Sequence, residues 1–309
     1  MRQADPDALG FSPAIDQPVP YMARTRAYYA ALGYPTPYRW ASFADVPFTA
    51  LRRPLARSCV ALITTAAPFD PARGDQAPGA PYNGAAKFYI PFSLPIDPAP
   101  DLRIAHVAYD RQHTSAADPQ SYLPLQALRA AAAAGRIGRL APRLHGAPTN
   151  RSQRVTLETD APDLLRRCRE DGADAAILVP NCPVCHQSVS LIARHLEAHG
   201  IATVVLGAAK DIVEHCGVPR LCFSDFPLGN AAGKPFDPAS QAATLALALV
   251  VLEGAPGPRT TVQSPQRWSA DAGWKLDYAN PDRLAPAELA RLRAEFAAQK
   301  AVAREVAKP

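Results

Sequence analysis

The sequence lacks the features that mark a membrane, secreted or nucleic-acid-binding protein. It has no apolar run of about 18 residues, the length that a membrane-spanning helix needs. Residues 1–20 contain no apolar core of the kind that export signals carry. Six cysteines in 309 residues are too few for a disulfide framework, and no long block of like charges marks a nucleic-acid surface. We therefore expect a cytoplasmic protein with mostly reduced thiols and no membrane or nucleic-acid partner.

The composition is that of a chain that can bury a full core. Hydrophobic residues make up 48% of the sequence and charged residues 20%. A chain of this length folds as one large domain or as two smaller ones. The net charge is +5, and the basic residues are scattered along the sequence. This distribution suits a small anionic substrate better than a polyanion.

Strand-length apolar runs alternate with helical patterns in the second half of the chain. Runs at 175–179, 201–206 and 221–224 are separated by segments of helical period. Such alternation is typical of parallel strands joined by right-handed crossovers. Further strands are predicted at 57–66 and 102–109. We predict an α/β fold, a parallel-sheet three-layer sandwich with two Rossmann-like lobes.

Changes in composition along the chain predict four segments. Residues 1–55 are rich in aromatic residues and proline, and we expect them to form a leader that packs on the body. We place the first α/β lobe at 56–150 and the second, with a C-x-x-C motif, at 151–255. Residues 256–309 form a C-terminal extension that ends in a charged amphipathic helix. That helix faces solvent or a second copy of the chain, and we expect a homo-oligomer.

The motif Cys182-Pro-Val-Cys185 lies between a predicted buried strand and an amphipathic helix. Pro183 suits the first helical position, which makes Cys182 the expected N-cap. A helix N-terminus favours the thiolate form of cysteine. The C-x-x-C spacing lets the second sulfur attack a bond formed by the first. We predict that Cys182 attacks, that Cys185 resolves the adduct, and that His186 lowers the thiol pKa or carries protons.

Two other interpretations of this motif stay open at the level of sequence. In the first, Cys185 and His186 only pack in the core and Cys182 only caps the helix. In the second, the motif binds zinc, with the ligands drawn from Cys182, Cys185 and His186 and completed by His215, Cys216 or Cys222. The chain has no second C-x-x-C, and the downstream spacing matches no usual zinc finger. We therefore predict no resident metal.

Polar residues follow the predicted strands and are candidates for substrate binding. Ligands of open α/β sheets usually bind at the carboxyl ends of the strands. Solvated loops are the alternative for these residues, and His106, inside a predicted strand, is expected to be a core histidine. The predicted substrate-binding residues are Thr65, Asp110, His113, Gly229 and Asn230.

Several short motifs occur in an order found in one enzyme family. Residues from about 57 to 255 resemble the selenoprotein B family of glycine, sarcosine, betaine and D-proline reductases. The matching pieces are Tyr122-Leu-Pro-Leu125, Gly135-Arg-Ile-Gly138, Cys182-Pro-Val-Cys185-His-Gln, Gly200-Ile-Ala-Thr-Val-Val205 and Pro219-Arg-Leu-Cys-Phe-Ser-Asp-Phe-Pro-Leu-Gly229.

The resemblance implies reductive cleavage of a C–N bond in a small substrate. Family members attack the substrate with a selenol, and their reactive residue falls in the stretch that corresponds to Cys182–Cys185. This chain has only cysteine there, so the resemblance implies a thiol-dependent reductase with a slower reaction or a more reactive substrate. It also implies a partner reductase subunit, which in the family often bears a pyruvoyl group. We expect no bound cofactor, with an external thiol or dithiol as reductant. A non-catalytic subunit of a reductase complex is the remaining alternative.

Overall fold

A computed structural model gives the structure of the protein and describes residues 17–149 and 152–307. The strands are β1 (Cys59–Thr64), β2 (Ala67–Pro68), β3 (Phe92–Pro95), β4 (Leu102–Arg103), β5 (Arg139–Gly146), β6 (Ala175–Val179), β7 (Ala202–Gly207), β8 (Arg220–Phe223) and β9 (Thr260–Gln263). The helices are α1 (Tyr21–Ala31), α2 (Leu125–Ala133), α3 (Gln153–Val155), α4 (Ala161–Glu170), α5 (Pro183–Ala198), α6 (Lys210–Cys216), α7 (Pro238–Gly254) and α8 (Pro286–Val306). A π-helical turn joins α3 to α4. No helix of the described ranges is long and apolar enough to cross a membrane.

Seven of the strands form one sheet in the order β3-β5-β1-β6-β7-β8-β9. All neighbouring pairs are parallel except β3 with β5, which is antiparallel. β2 and β4 form a separate two-stranded antiparallel ribbon. Because β1 pairs directly with β6, the strands of the two predicted lobes lie in one sheet rather than two. The α/β three-layer prediction is confirmed, while the four-segment division stays a prediction.

Apolar residues cover both faces of the sheet. In β1, Val60 and Leu62 pack in the core on the side of α2 and α7. Ala61 and Ile63, the alternate residues, pack in the core on the side of α4, α5 and α6. Strands buried on both faces are apolar at nearly every position, which is why β1, β6 and β7 are continuous apolar runs in the sequence.

Residues 38–50 run along the outer side of α5 and are held there by three polar side chains of that helix. The Gln187 Oε1 atom accepts a hydrogen bond from the backbone N–H of residue 41 at 2.6 Å. Arg194 donates to the backbone carbonyl of residue 45 at 2.8 Å. Glu197 accepts from the backbone and is paired at 2.7 Å with Arg220, which is buried. As a result, most of α5 is buried although it lies in an outer helical layer.

The predicted secondary structure needs correction at four places. The predicted strand 102–109 is a strand only at Leu102–Arg103, because the chain turns at 107–109. Arg111 stabilises this turn by donating to the carbonyls of His106 and Val107. The sheet also contains β3, β5 and β9, three strands that the sequence pattern did not predict. The buried strands 57–66, 175–179 and 201–206 are confirmed with small shifts at their ends.

Candidate active site

The two cysteines lie where β6 gives way to α5. The backbone N–H of Asn181 donates to Thr65 Oγ1 at 3.1 Å and so ties the end of β6 to the end of β1. Cys182 has an extended backbone and caps the helix, and Pro183 occupies the first helical position. These local features confirm the predicted strand–turn–helix unit. The motif therefore lies at the carboxyl edge of the sheet, at the positive end of a 16-residue helix.

Cys182 and Cys185 form a disulfide, with their Cα atoms 4.9 Å apart. That separation lies in the ordinary range for disulfides. The backbone N–H of Cys185 donates to Cys182 Sγ at 3.2 Å, and Thr149 Oγ1 donates to Cys185 Sγ at 3.5 Å. Cys182 is 4% exposed and Cys185 is fully buried. In the reduced protein the amide donor would stabilise a thiolate on Cys182, which is also the more accessible sulfur.

The other four cysteines have environments that suppress thiolate formation. All four are buried, outside any disulfide. Burial raises the pKa of Cys168, Cys216 and Cys222 to about 12, and it raises the pKa of Cys59 as well. Buried thiols of this kind are inert at neutral pH. Only the Cys182–Cys185 pair, among the cysteines of the chain, therefore has a setting suited to thiol chemistry.

His186 has both ring nitrogens bonded to backbone atoms. Nδ1 donates to the carbonyl of Cys182 at 2.8 Å. Nε2 accepts from the backbone N–H groups of Ala208 and Ala209 at 3.0 and 3.1 Å. Burial lowers the pKa of His186 to about 4, so the ring is neutral at pH 7. In this arrangement His186 fixes the start of α5 to the end of β7, and its predicted role in proton transfer stays a prediction.

His106 is the histidine that the structure brings to the sulfurs. A ring nitrogen of His106 and the sulfurs of Cys182 and Cys185 all lie within 4.8 Å of one another, and all three residues are buried. His106 Nδ1 has no hydrogen-bond partner among the described residues. Burial, with smaller effects of Lys87 and Arg111, lowers the pKa of His106 to about 3. His106 is therefore buried, as expected of a core histidine, but it lies outside the strand and one of its ring nitrogens has no partner in the described part of the chain.

A second unpartnered polar group lies next to the motif. The side chain of Asn181 is fully buried, and neither its Oδ1 nor its Nδ2 atom has a partner within residues 17–149 and 152–307. Buried amides are usually fully hydrogen-bonded, and exceptions point to function or to ordered water. Neither His106 nor Asn181 is indicated by a sequence pattern. The adjacency of Asn181 to Cys182 is the one signal that could have directed attention to it.

Four of the predicted substrate-binding residues form a cluster of their own. His113 Nδ1 lies 3.0 Å from both carboxylate oxygens of Asp110, and His113 Nε2 lies 3.3 Å from an oxygen of Asp277. The hydrogen bond to Asp110 raises the pKa of His113. Asn230 accepts from Thr114 at 3.3 Å.

The cluster is joined to the loop after β8 through the backbone. The N–H of Asp110 donates to the carbonyl of Leu228 at 2.9 Å, and Ser121 Oγ donates to the carbonyl of Gly229 at 3.4 Å. Thr65, the fifth predicted residue, contacts Asn181 beside the motif. The structure thus places Thr65 beside Asn181, the residue before Cys182, while the substrate-binding roles of all five stay predictions.

An aromatic segment covers the cysteines. Tyr38, Trp40 and Ala108 pack on Cys182 and Cys185. Gln187 Nε2 donates to the Tyr38 hydroxyl at 2.7 Å, so the same glutamine that binds residue 41 also holds this ring. We call residues 38–41 the strap, because they cross the start of α5 above the sulfurs.

A cavity of about 500 Å³ opens beside the strap. Its wall includes Tyr38 and Val184, the second residue between the two cysteines. Arg26, Arg39 and Lys300 also line it, and its described lining includes no carboxylate. A pocket with cations and no opposing acid favours an anionic ligand.

The zinc ligand set considered from the sequence does not assemble. Within the described ranges, the grouping of metal-ligand side chains at the motif is His106 with Cys182 and Cys185. His186 is committed to backbone groups, and Cys216 packs with Ala41 and Leu191 in a separate cluster.

Comparison with known proteins gives one distant relationship. The chain is similar to the D-proline reductase subunit gamma of Acetoanaerobium sticklandii, with 29% identity over 171 residues. The matched region covers 55% of this chain and 70% of that subunit. No family model matches the chain, and no solved structure matches it. The chain is therefore related to a reductase subunit. This agrees with the reductase relationship expected from the sequence motifs.

Proposed function

We propose that the protein is the dithiol component of a reductase complex, which reductively cleaves a bond to an activated carbon of a small anionic substrate. The observation that carries this proposal is the Cys182–Cys185 disulfide at the N-terminus of α5, beside the unpartnered imidazole of His106. The relationship to a D-proline reductase subunit supports both the reaction class and the presence of a partner subunit. D-proline, which gives the relative its name, is the first natural compound to test, because its C–N bond lies next to a carboxylate.

The reaction runs in two steps that balance in atoms and electrons. The Cys182 thiolate attacks a carbon next to a carbonyl, a C–S bond forms, and the leaving group departs with its bonding electron pair and takes a proton. The Cys185 thiolate then attacks Cys182 Sγ, and the substrate carbon leaves with the C–S electron pair and takes a proton. The two sulfurs are oxidised to the disulfide, and the substrate carbon gains a hydrogen. An external thiol or dithiol reduces the disulfide by exchange.

His106 is the group we assign to proton transfer, in preference to His186. A base must have a nitrogen that can accept a proton, and both nitrogens of His186 are already bonded to the backbone. His106 is buried near both sulfurs and has an unpartnered nitrogen. It is neutral at pH 7, since burial lowers its pKa to about 3, so its unpartnered nitrogen can accept a hydrogen bond from a cysteine thiol. Transfer of the proton then depends on the negative charge that develops on the sulfur, because an anion beside the imidazole favours its protonated form.

The cavity beside the strap is the proposed entrance for the substrate. It reaches Val184 between the two cysteines and has Arg39 and Lys300 in its wall. These cations would bind a carboxylate while the reacting carbon points to Cys182. The covering residues Tyr38 and Trp40 exclude water from the sulfurs, which strengthens the electrostatic effects at the site.

The test uses 2-bromoacetophenone, an activated electrophile, with the fully reduced protein. The wild type should release acetophenone and bromide and end as the Cys182–Cys185 disulfide. Cys185→Ser should stop at a stable Cys182 thioether, seen as an added mass on the corresponding peptide. Cys182→Ser should give no acetophenone, and Cys168→Ala is the matched control that should behave as the wild type.

Two results would contradict the proposal. The first is release of acetophenone by Cys182→Ser at the rate of the wild type. The second is a wild-type protein that keeps the thioether and forms no disulfide. Comparing iodoacetate with iodoacetamide then tests the cavity, because Arg39→Gln should slow modification of Cys182 by the anionic reagent only.

A further inference from the structure

We infer that the reduced protein contains a metal site for Zn²⁺, with Cys182, Cys185 and His106 as its three protein ligands and an open fourth position. The site uses the dithiol of the proposed function and adds a metal-bound, non-reducing state to it. It differs from the zinc ligand set considered from the sequence, since His106 comes from a loop before α2 and not from the region of the motif.

The ligand atoms of the three residues are close enough to share one ion. They lie within 4.8 Å of one another, and all three side chains are buried. Thiolate sulfur and imidazole nitrogen are the donors that zinc prefers, in tetrahedral geometry. Three protein ligands and one open position is the pattern of zinc sites that bind water or substrate.

The surroundings of the ligands are those of a prepared site. Each sulfur already has a hydrogen-bond donor, the N–H of Cys185 for Cys182 and the hydroxyl of Thr149 for Cys185. Such donors stabilise the thiolate form that a metal requires. Arg111 fixes the backbone at His106 through two hydrogen bonds, of 2.7 and 2.8 Å, to adjacent carbonyls. The buried His106 Nδ1 has no partner among the described residues, so part of this ring's hydrogen-bonding capacity remains uncommitted.

Metal binding and disulfide formation exclude each other at this site. Binding takes the protons off both thiols, so one Zn²⁺ replaces two protons and leaves a cluster of zero net charge. The disulfide has no thiolate and cannot bind the ion in this way. A bound Zn²⁺ also occupies both sulfurs that the reduction needs, so it inhibits turnover until a chelator or an oxidant removes it.

The experiment measures Zn²⁺ binding to the protein reduced with a phosphine and separated from excess reductant. A colorimetric chelator competes for the ion, and Co²⁺ serves as a spectroscopic substitute. We expect one Zn²⁺ per reduced chain, no binding by the disulfide form, and a Co²⁺ spectrum with sulfur charge-transfer and four-coordinate visible bands. His106→Asn should weaken binding by at least about 100-fold, since it removes a ligand and not only an outer contact. His199→Asn, at an exposed histidine, is the matched control.

The proposal is overturned if the reduced wild type binds no more Zn²⁺ than the Cys182→Ala/Cys185→Ala double variant. It is also overturned if His106→Asn, shown to be folded by circular dichroism, binds as tightly as the wild type. The Co²⁺ spectrum of the wild type tests the ligand set even if the variant does not fold. Failure of metal binding leaves the acetophenone assay intact, so the two proposals fail independently.

Discussion

Replacing His186 tests whether this histidine has a structural or a catalytic role. The ring joins the start of α5 to the residues after β7 through three hydrogen bonds. His186→Phe keeps an aromatic ring and leaves the N–H groups of Ala208 and Ala209 without an acceptor. An unsatisfied buried group costs about 1–3 kcal/mol, so we expect a loss of about 2–6 kcal/mol in the free energy of unfolding at pH 7.5.

The pH dependence of this loss identifies its cause. The His186 pKa falls from 6.5 in the unfolded chain to about 4 in the native protein because the ring is buried. Between these values the unfolded chain binds a proton that the native one does not, so stability is complete above pH 6.5 and decreases as pH falls towards 4. The shift corresponds to about 3 kcal/mol, of which about 2 kcal/mol is lost by pH 5.

Urea unfolding of the disulfide form at pH 7.5 and pH 5 measures both effects. The phenylalanine variant does not titrate, so its deficit relative to the wild type should shrink by about 2 kcal/mol at the lower pH. His199→Asn is the control, because the ring of His199 is exposed and its Nδ1 atom bonds to the carbonyl of His195, one turn earlier. A deficit that does not change with pH would refute the assignment of His186 as a buried neutral acceptor. Loss of thiol reactivity in the folded variant would instead support the catalytic role predicted from the sequence.

Two further predictions concern the segment that covers the site. Gln187→Leu removes the hydrogen bonds to the Tyr38 hydroxyl and to the backbone at Ala41, which hold the strap. Alkylation of the reduced motif, followed by peptide mass spectrometry, should therefore become about tenfold faster. An unchanged rate would show that the strap does not shield the sulfurs. Arg220→Met leaves Glu197 buried without its cation and should cost about 3–5 kcal/mol in urea unfolding, whereas adding Glu197→Gln should restore most of it.

The parts of the fold that sequence patterns predicted are those determined by local chemistry. The run Ala175–Val179 is apolar throughout, and Pro183 follows at the first helical position, so strand, turn and helix could all be placed. β3 and β9 were missed because they are the edge strands of the sheet, with mostly half-buried residues and no apolar pattern. β5 was missed because Pro142 and the half-buried Arg143 interrupt its apolar residues.

The site could be predicted only where its residues are neighbours in the chain. The C-x-x-C spacing and the helix N-terminus indicate Cys182 and Cys185 directly. His186 was proposed because it is adjacent in sequence, but adjacency does not determine where a ring points. The contacts of His106 and Thr149 with the motif depend on how distant loops pack at the edge of the sheet, and no local pattern encodes them.

The sulfurs are enclosed by four stretches that are far apart along the chain: the strap, the turn at His106, the segment after β5 at Thr149 and α5 itself. Such an enclosure exists only after the whole chain has folded. A nascent or partly unfolded chain would expose thiols that exchange with any disulfide in reach. The thiols are therefore protected from unselective disulfide exchange only in the native structure. Local opening of the strap alone would be enough to remove this protection.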